Sequence, residues 1–138
     1  MKVRDCMKCP VYTVTPDTLI NTALETMRAK HVRRLPVVEN GKLVGLVTRN
    51  IIREAAPASP VPLTLWGLQY ELSHMKVRDV MITDVIAVHP DDTINEVVAM
   101  SEKHEIGTFP VVGDSGDLVG ILTNTDLLHI MAKLLDKC

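Results

Sequence analysis

Met1-Lys2-Val3-Arg4-Asp5 returns seventy-four positions later as Met75-Lys76-Val77-Arg78-Asp79, and this echo decides how the rest of the chain is read. Outward from it, Pro16-Asp17 recurs as Pro90-Asp91, Ile20-Asn21 as Ile94-Asn95, and Pro36-Val37-Val38 as Pro110-Val111-Val112. After one inserted residue, Gly41, Leu43-Val44-Gly45 and Thr48 recur as Gly116, Leu118-Val119-Gly120 and Thr123. Two copies of one supersecondary unit are therefore present. The division this predicts is a first repeat over 1–56, a connector over 57–74 and a second repeat over 75–138. Two like units in tandem are expected to pack about a pseudo-twofold axis, with a ligand cleft between them.

Each copy carries the same local pattern. Val11-Tyr12-Thr13-Val14 and Val85-Ile86-Ala87-Val88 read as short strands, each followed by a Pro-Asp turn that opens a helix. Ile20, Ala23, Leu24 and Met27 fall at helical spacing and make one apolar stripe, repeated by Ile94, Val97 and Val98. Two apolar runs follow, Leu35 to Val38 and Leu43 to Thr48, joined by Glu39-Asn40-Gly41-Lys42, in which Asn-Gly takes the positive φ angles of a tight hairpin. The second copy uses a looser turn, Gly113 to Asp117, and a closing helix runs through Leu127, Leu128, Met131 and Leu135. The order is strand, helix, strand, strand, helix, an α/β (α+β) fold with small three-stranded sheets flanked by helices. Pro57, Pro60 and Pro62 mark the connector, which runs into a short amphipathic helix with Trp66, Leu65, Leu68 and Leu72. That stripe suits either a partner or packing on the core.

At 138 residues and 46% hydrophobic composition the repeats share enough apolar material for one core. Charges interrupt every apolar run before a membrane span or secretory leader could form, so the protein is expected in the cytoplasm, and its three cysteines as free thiols. Residues 1–54 hold ten basic and five acidic side chains, the remainder five basic and twelve acidic, so the halves are electrostatic opposites. Two accounts stand: solvated or head-to-tail complementary faces, or cations in the first half for a phosphate-bearing ligand. A net charge of -2 and four aromatic residues argue against nucleic-acid binding.

The ordered set of Pro-Asp turn, Arg34-Leu35-Pro36-Val37-Val38 or Thr108-Phe109-Pro110-Val111-Val112, then Gly45-Leu46-Val47-Thr48 or Gly120-Ile121-Leu122-Thr123, resembles a tandem pair of CBS domains, a Bateman module. The resemblance covers nearly the whole chain and extends to short bacterial CBS-pair proteins of acetoin utilisation. It implies a regulatory module that binds an adenosine-containing ligand (AMP, ADP, ATP or S-adenosylmethionine) and forms a homodimer. No required cofactor and no membrane partner are expected, and the regulated protein is left unknown. It also implies that Thr123 and Asp126 contact ribose and phosphate, with Asn124 between them.

Residue chemistry is compatible with that role. An ionised carboxylate accepts from two neighbouring hydroxyls such as a ribose cis-diol, and a threonine hydroxyl with helix N-terminal N–H groups meets a phosphate. Asp126 equally suits the helix dipole by position alone. In the first copy the counterpart of Asp126 is Ile51, so Thr48 stands there without a carboxylate and one competent site per chain is expected. The family's basic position is Arg34, beside Arg33, in the first copy and Thr108 in the second, so a nucleotide held by Asp126 with its phosphate at Arg33 or Arg34 would join the two. By resemblance, Val85, Ile86 and Ala87 form the adenine wall.

Cys6-Met7-Lys8-Cys9 has redox or half-metal spacing but lacks a second ligand pair, unless Cys138 meets it. His31, His74, His89, His104 and His129 show no paired spacing, and no nucleophile, base and orienting group assemble, so neither a metal site nor catalysis is expected. The alternative function is a protein-interaction or dimerisation module whose nucleotide site has decayed.

Overall fold

A computed structural model describes residues 1–55 and 74–137. The proline-rich connector, the expected Trp66 helix and Cys138 lie outside the described residues. The elements are α1 (Ile20–Lys30), β1 (Arg34–Glu39), β2 (Lys42–Thr48), α2 (Arg49–Ala55), α3 (Ile94–His104), β3 (Thr108–Val112), β4 (Leu118–Thr123) and α4 (Asn124–Asp136). No helix among the described residues is long and apolar enough to cross a membrane.

Both hairpins form with one register. Leu35 pairs Val47 and Val37 pairs Gly45; Phe109 pairs Leu122 and Val111 pairs Gly120. A bulge falls at the same place in each, between Val37 and Val38 and between Val111 and Val112. The Asn40-Gly41 turn takes the expected left-handed angles, φ 54° and 79°, and Gly116 at φ 86° closes the looser one. The expected third strand is reduced to one residue in each sheet. Val14 bridges Val37 and Val88 bridges Val111, each donating its N–H to a proline carbonyl, Pro36 at 3.1 Å and Pro110 at 3.0 Å. Pro16 and Pro90, two residues on, lack the donor that would extend the pairing.

Of the predicted stripes, Ile20, Ala23 and Met27 are buried in α1 and Val97 in α3, Leu24 and Ile94 are partly buried against the same clusters, and Val98 stays 38% exposed. Both helices stop at a left-handed residue, His31 at φ 55° and Glu105 at φ 54°. Thr93 caps α3, accepting from the Glu96 N–H at 3.2 Å.

The packing units differ in membership from the sequence repeats. One comprises Tyr12–Val85; the other comprises Met1–Val11 with Ile86–Cys138. We call them the first and the second unit. Each therefore carries a strap from the other repeat. In the second unit Val3 is fully buried among Val88, Val97, Phe109, Val111 and Leu122. Its N–H donates to Asp92 O at 2.9 Å, and Lys8 and Ile121 exchange N–H to O bonds of 2.9 and 3.1 Å. In the first unit Val77 takes the same place beside Ile20, Leu35, Val37 and Val47, and Ile82 and Leu46 exchange bonds of 2.9 Å each. The straps also supply the Pro-Asp turns with partners: Arg4 and Lys2 on Asp91, Arg78 and Lys76 on Asp17. The hydrogen bond and charge of Arg78 hold Asp17 below the usual carboxylate range, and Arg4 does the same for Asp91.

Gly45 and Gly120 admit these straps. A Cβ on Gly45 would stand 2.8 Å from the Ile82 carbonyl oxygen, which is backbone, whereas on Gly120 its nearest neighbour is the flexible Met7 sulfur at 2.6 Å. Gly45→Ala is expected to destabilise by about 1–3 kcal/mol, as overpacking does, and more than Gly120→Ala. Equal melting temperatures for the two variants would refute this account of the strap.

Candidate ligand site

At the β4–α4 junction, strand geometry hands over to helix at Thr123, and Asp126 falls three residues on, in the first turn. The carboxylate turns back onto the chain. Its Oδ2 accepts from the Thr123 backbone N–H at 2.8 Å and from the Thr123 hydroxyl at 3.1 Å. Its Oδ1 faces Lys8 Nζ at 3.2 Å. Asp126 is 6% exposed and Lys8 63%, so a buried anion meets a largely solvated cation. The helix-first-turn role is thus realised in full. One lone-pair direction of Oδ1 is left over once Lys8 is in place, and two if it withdraws.

The first unit builds the same junction without the charge. The Thr48 hydroxyl accepts from the Ile51 N–H at 3.0 Å, so it serves as an ordinary helix cap. Here the strap carries Ile82 where the other carries Lys8. The pair Asp126 and Lys8 is matched by the pair Ile51 and Ile82, acid and base lost together. Lys8 is the residue sequence reasoning missed, and this paired replacement was its signal.

The remaining candidates divide between the units. Ile86 and Ala87, both half-buried, belong to the unit of Thr123 and Asp126; Val85, Thr48, Arg33 and Arg34 belong to the other. Arg34 sits across the β-ladder from Thr48, as the buried Thr108 does from Thr123. Asn124 points away from Asp126: its Oδ1 lies 3.4 Å from the Ser101 hydroxyl and its amide nitrogen crowds Gly107. The Cys6 thiol is pushed up by burial and then by Asp5, which favours the unreactive protonated form, and no cluster of metal ligands occurs among the described residues.

The family model for the CBS domain matches residues 3–58 and 77–133. The chain belongs to the CBS-domain family. It is a tandem CBS pair, and its fold is shared with a candidate acetoin utilization protein (AcuB) from Vibrio cholerae at TM-score 0.81 and 31% identity, covering 99% of this chain and 93% of that one. The CBS pair of MJ0100, solved with 5'-methylthioadenosine and S-adenosyl-L-methionine, matches at TM-score 0.80 and 26% identity over 96% and 97% of the two chains. CBSX2, solved with AMP, matches at TM-score 0.80 and 25% identity over the same shares. Among curated relatives, MJ1232 of Methanocaldococcus jannaschii is 30% identical over 132 residues, 96% of this chain but 40% of that protein. The CBS pair thus spans less than half of that relative's length.

Proposed function

We propose that this CBS pair is a regulatory module that senses an adenosine-containing ligand, gripped by Asp126 and Thr123 with Ile86 and Ala87 against the base, and that it works as a homodimer. The observation that carries the reading is the buried Asp126 carboxylate whose outer oxygen is held, among the described residues, only by the exposed Lys8. A ribose diol offers two hydroxyl donors to that oxygen. Exchanging Lys8 for the diol keeps the buried carboxylate satisfied, because two hydroxyl donors take the place of an ammonium that is itself largely solvated. The displaced ammonium is then available to a ligand phosphate or carboxylate. Structural neighbours solved with AMP, S-adenosyl-L-methionine and 5'-methylthioadenosine support this ligand class.

A second reading, an interaction module with a decayed site, is favoured by one observation: both Asp126 oxygens already have partners within the chain. Thermal shift decides between them. A ligand at a hundred times its Kd stabilises the fold by about 2.7 kcal/mol, a rise of several degrees. Such a rise is expected with AMP, ADP, ATP or S-adenosylmethionine. Lys8→Met should weaken AMP more than 5'-methylthioadenosine, which carries no phosphate. No rise with any of them at millimolar concentration would establish the second reading.

A further inference from the structure

Cys6 and Cys9 flank the two residues by which the Met1–Val11 strap docks on β4. Met7 lies over Gly120, and Lys8 exchanges both backbone bonds with Ile121 while its ammonium holds Asp126 Oδ1 at 3.2 Å. Both thiols are free; Cys9 is exposed, and Cys6 is half-buried against the core of the second unit. The other strap carries Val80 and Thr83 at these positions and Ile82 in place of Lys8, and it docks on the junction that has Ile51 in place of Asp126. Thiol pair, lysine and carboxylate occur together in one unit and are all replaced in the other, so docking a strap does not by itself require cysteines.

A residue that exchanges both bonds across an antiparallel bridge is extended, and an extended chain advances about 3.3 Å per residue. Cysteines three positions apart on such a stretch stand roughly 10 Å apart, beyond the about 7 Å over which a disulfide joins two Cα atoms. A Cys6–Cys9 bond and the docked Lys8 therefore exclude each other. Closing the bond requires Met7 and Lys8 to turn away from β4, while Val3, fully buried and bonded through its N–H to Asp92 O, keeps the strap anchored upstream. The two states differ by a local opening and share the fold.

We propose that Cys6 and Cys9 form a redox switch on the ligand site: exchange with a low-molecular-weight disulfide closes a Cys6–Cys9 bond, lifts Met7 and Lys8 from β4 and takes the cation away from Asp126. The exposed Cys9 thiolate attacks the external disulfide, and a mixed disulfide forms as one thiolate leaves. The Cys6 thiolate then attacks the Cys9 sulfur and expels the second. Two cysteine thiols are oxidised to one disulfide, the external disulfide is reduced to two thiols, and the protons of the cysteines end on these. Burial and then the charge of Asp5 push the Cys6 thiol up while the strap is docked, so Cys6 resolves the mixed disulfide as the strap lifts. A disulfide formed at the expense of native contacts is readily reduced again, which makes the change reversible. Its effect on nucleotide affinity rests on the proposed Asp126 site; the opening of the strap does not.

The test uses the full chain with Cys138→Ser, which leaves Cys6 and Cys9 as its only thiols. After incubation with glutathione disulfide, peptide mapping should find the Cys6–Cys9 bond. Hydrogen exchange at the Lys8 and Ile121 amides should quicken on the order of tenfold or more while that at Val3 holds, and dithiothreitol should reverse both changes. AMP should bind the oxidised form on the order of tenfold more weakly than the reduced one, the size of one lost ammonium–phosphate contact. Cys6→Val with Cys9→Thr, the residues the other strap tolerates there, should fold, bind AMP as the reduced parent does and ignore the oxidant. Thiols left untouched, glutathione on Cys9 with no internal bond, or an internal bond that leaves the Lys8 and Ile121 amides as slow as before overturns the switch. Equal AMP affinity of the two forms overturns its hold on the site. A reduced chain that binds no AMP overturns the nucleotide reading instead, and amide exchange still decides the switch.

Discussion

Asp126→Ala should abolish the thermal shift produced by the adenosine ligand and lower the melting temperature of the free protein. The first effect follows from removing the only carboxylate at the β4–α4 junction; the counterpart junction, with Ile51, has none to substitute for it. The second follows from the two hydrogen bonds Thr123 gives to Oδ2, since losing such a cap costs about 0.5–2 kcal/mol. The two effects are separable with Asp126→Asn. An amide oxygen still accepts from the Thr123 N–H, so most stability should return, while the charge that strengthens a hydroxyl's hydrogen bond is gone. Hydrogen bonds to charged groups are worth about 1 kcal/mol more than neutral ones, so ligand affinity should remain roughly tenfold down even in the restored fold. An alanine variant that melts lower yet binds unchanged would reject Asp126 as the ribose acceptor and keep it as a cap alone.

Phe109→Ala should be the most destabilising single truncation. Phe109 is the chain's one phenylalanine, fully buried on β3 opposite Leu122, against a cluster that includes Val3 from the chain start. Emptying such a site costs about 3–5 kcal/mol, a large fraction of the roughly 5–15 kcal/mol that holds a domain together. The expected fall in melting temperature is on the order of 10 °C or more. The strap should loosen with it, because Val3 and Phe109 share that cluster, so hydrogen exchange at the Val3 and Lys8 amides should speed up alongside that of β3. Calorimetry showing a loss below about 1 kcal/mol would mean that the second unit repacks around the void.

Much of this architecture was legible residue by residue. Asn40-Gly41 announced its turn because few dipeptides take two positive φ angles in succession, and the duplicated Leu-Val-Gly runs announced both hairpins. The α1 stripe of Ile20, Ala23 and Met27 needed only a period of 3.6. The first strands misled because β-branched residues there satisfy a strand pattern, while Pro16 and Pro90 withhold the donor that pairing needs. At the site, the Thr123 and Asp126 spacing was visible and the Ile51 departure was visible. Lys8 was not, because its importance lies in a contact made across more than a hundred residues of chain.

What sequence alone determined is everything repeated: the tandem pair, its hairpins and its single acidic junction, since these follow from local spacing that the chain states twice. What only the tertiary structure decided is which partner each piece takes. The Met-Lys-Val-Arg-Asp segments are identical, so local pattern accepts either unit as host, and packing assigns each to the other repeat's sheet. From that exchange come the Lys8 pair with Asp126 and the salt bridges that seat Asp17 and Asp91. Long-range Coulomb and packing terms select among locally equivalent choices, and no local propensity encodes them.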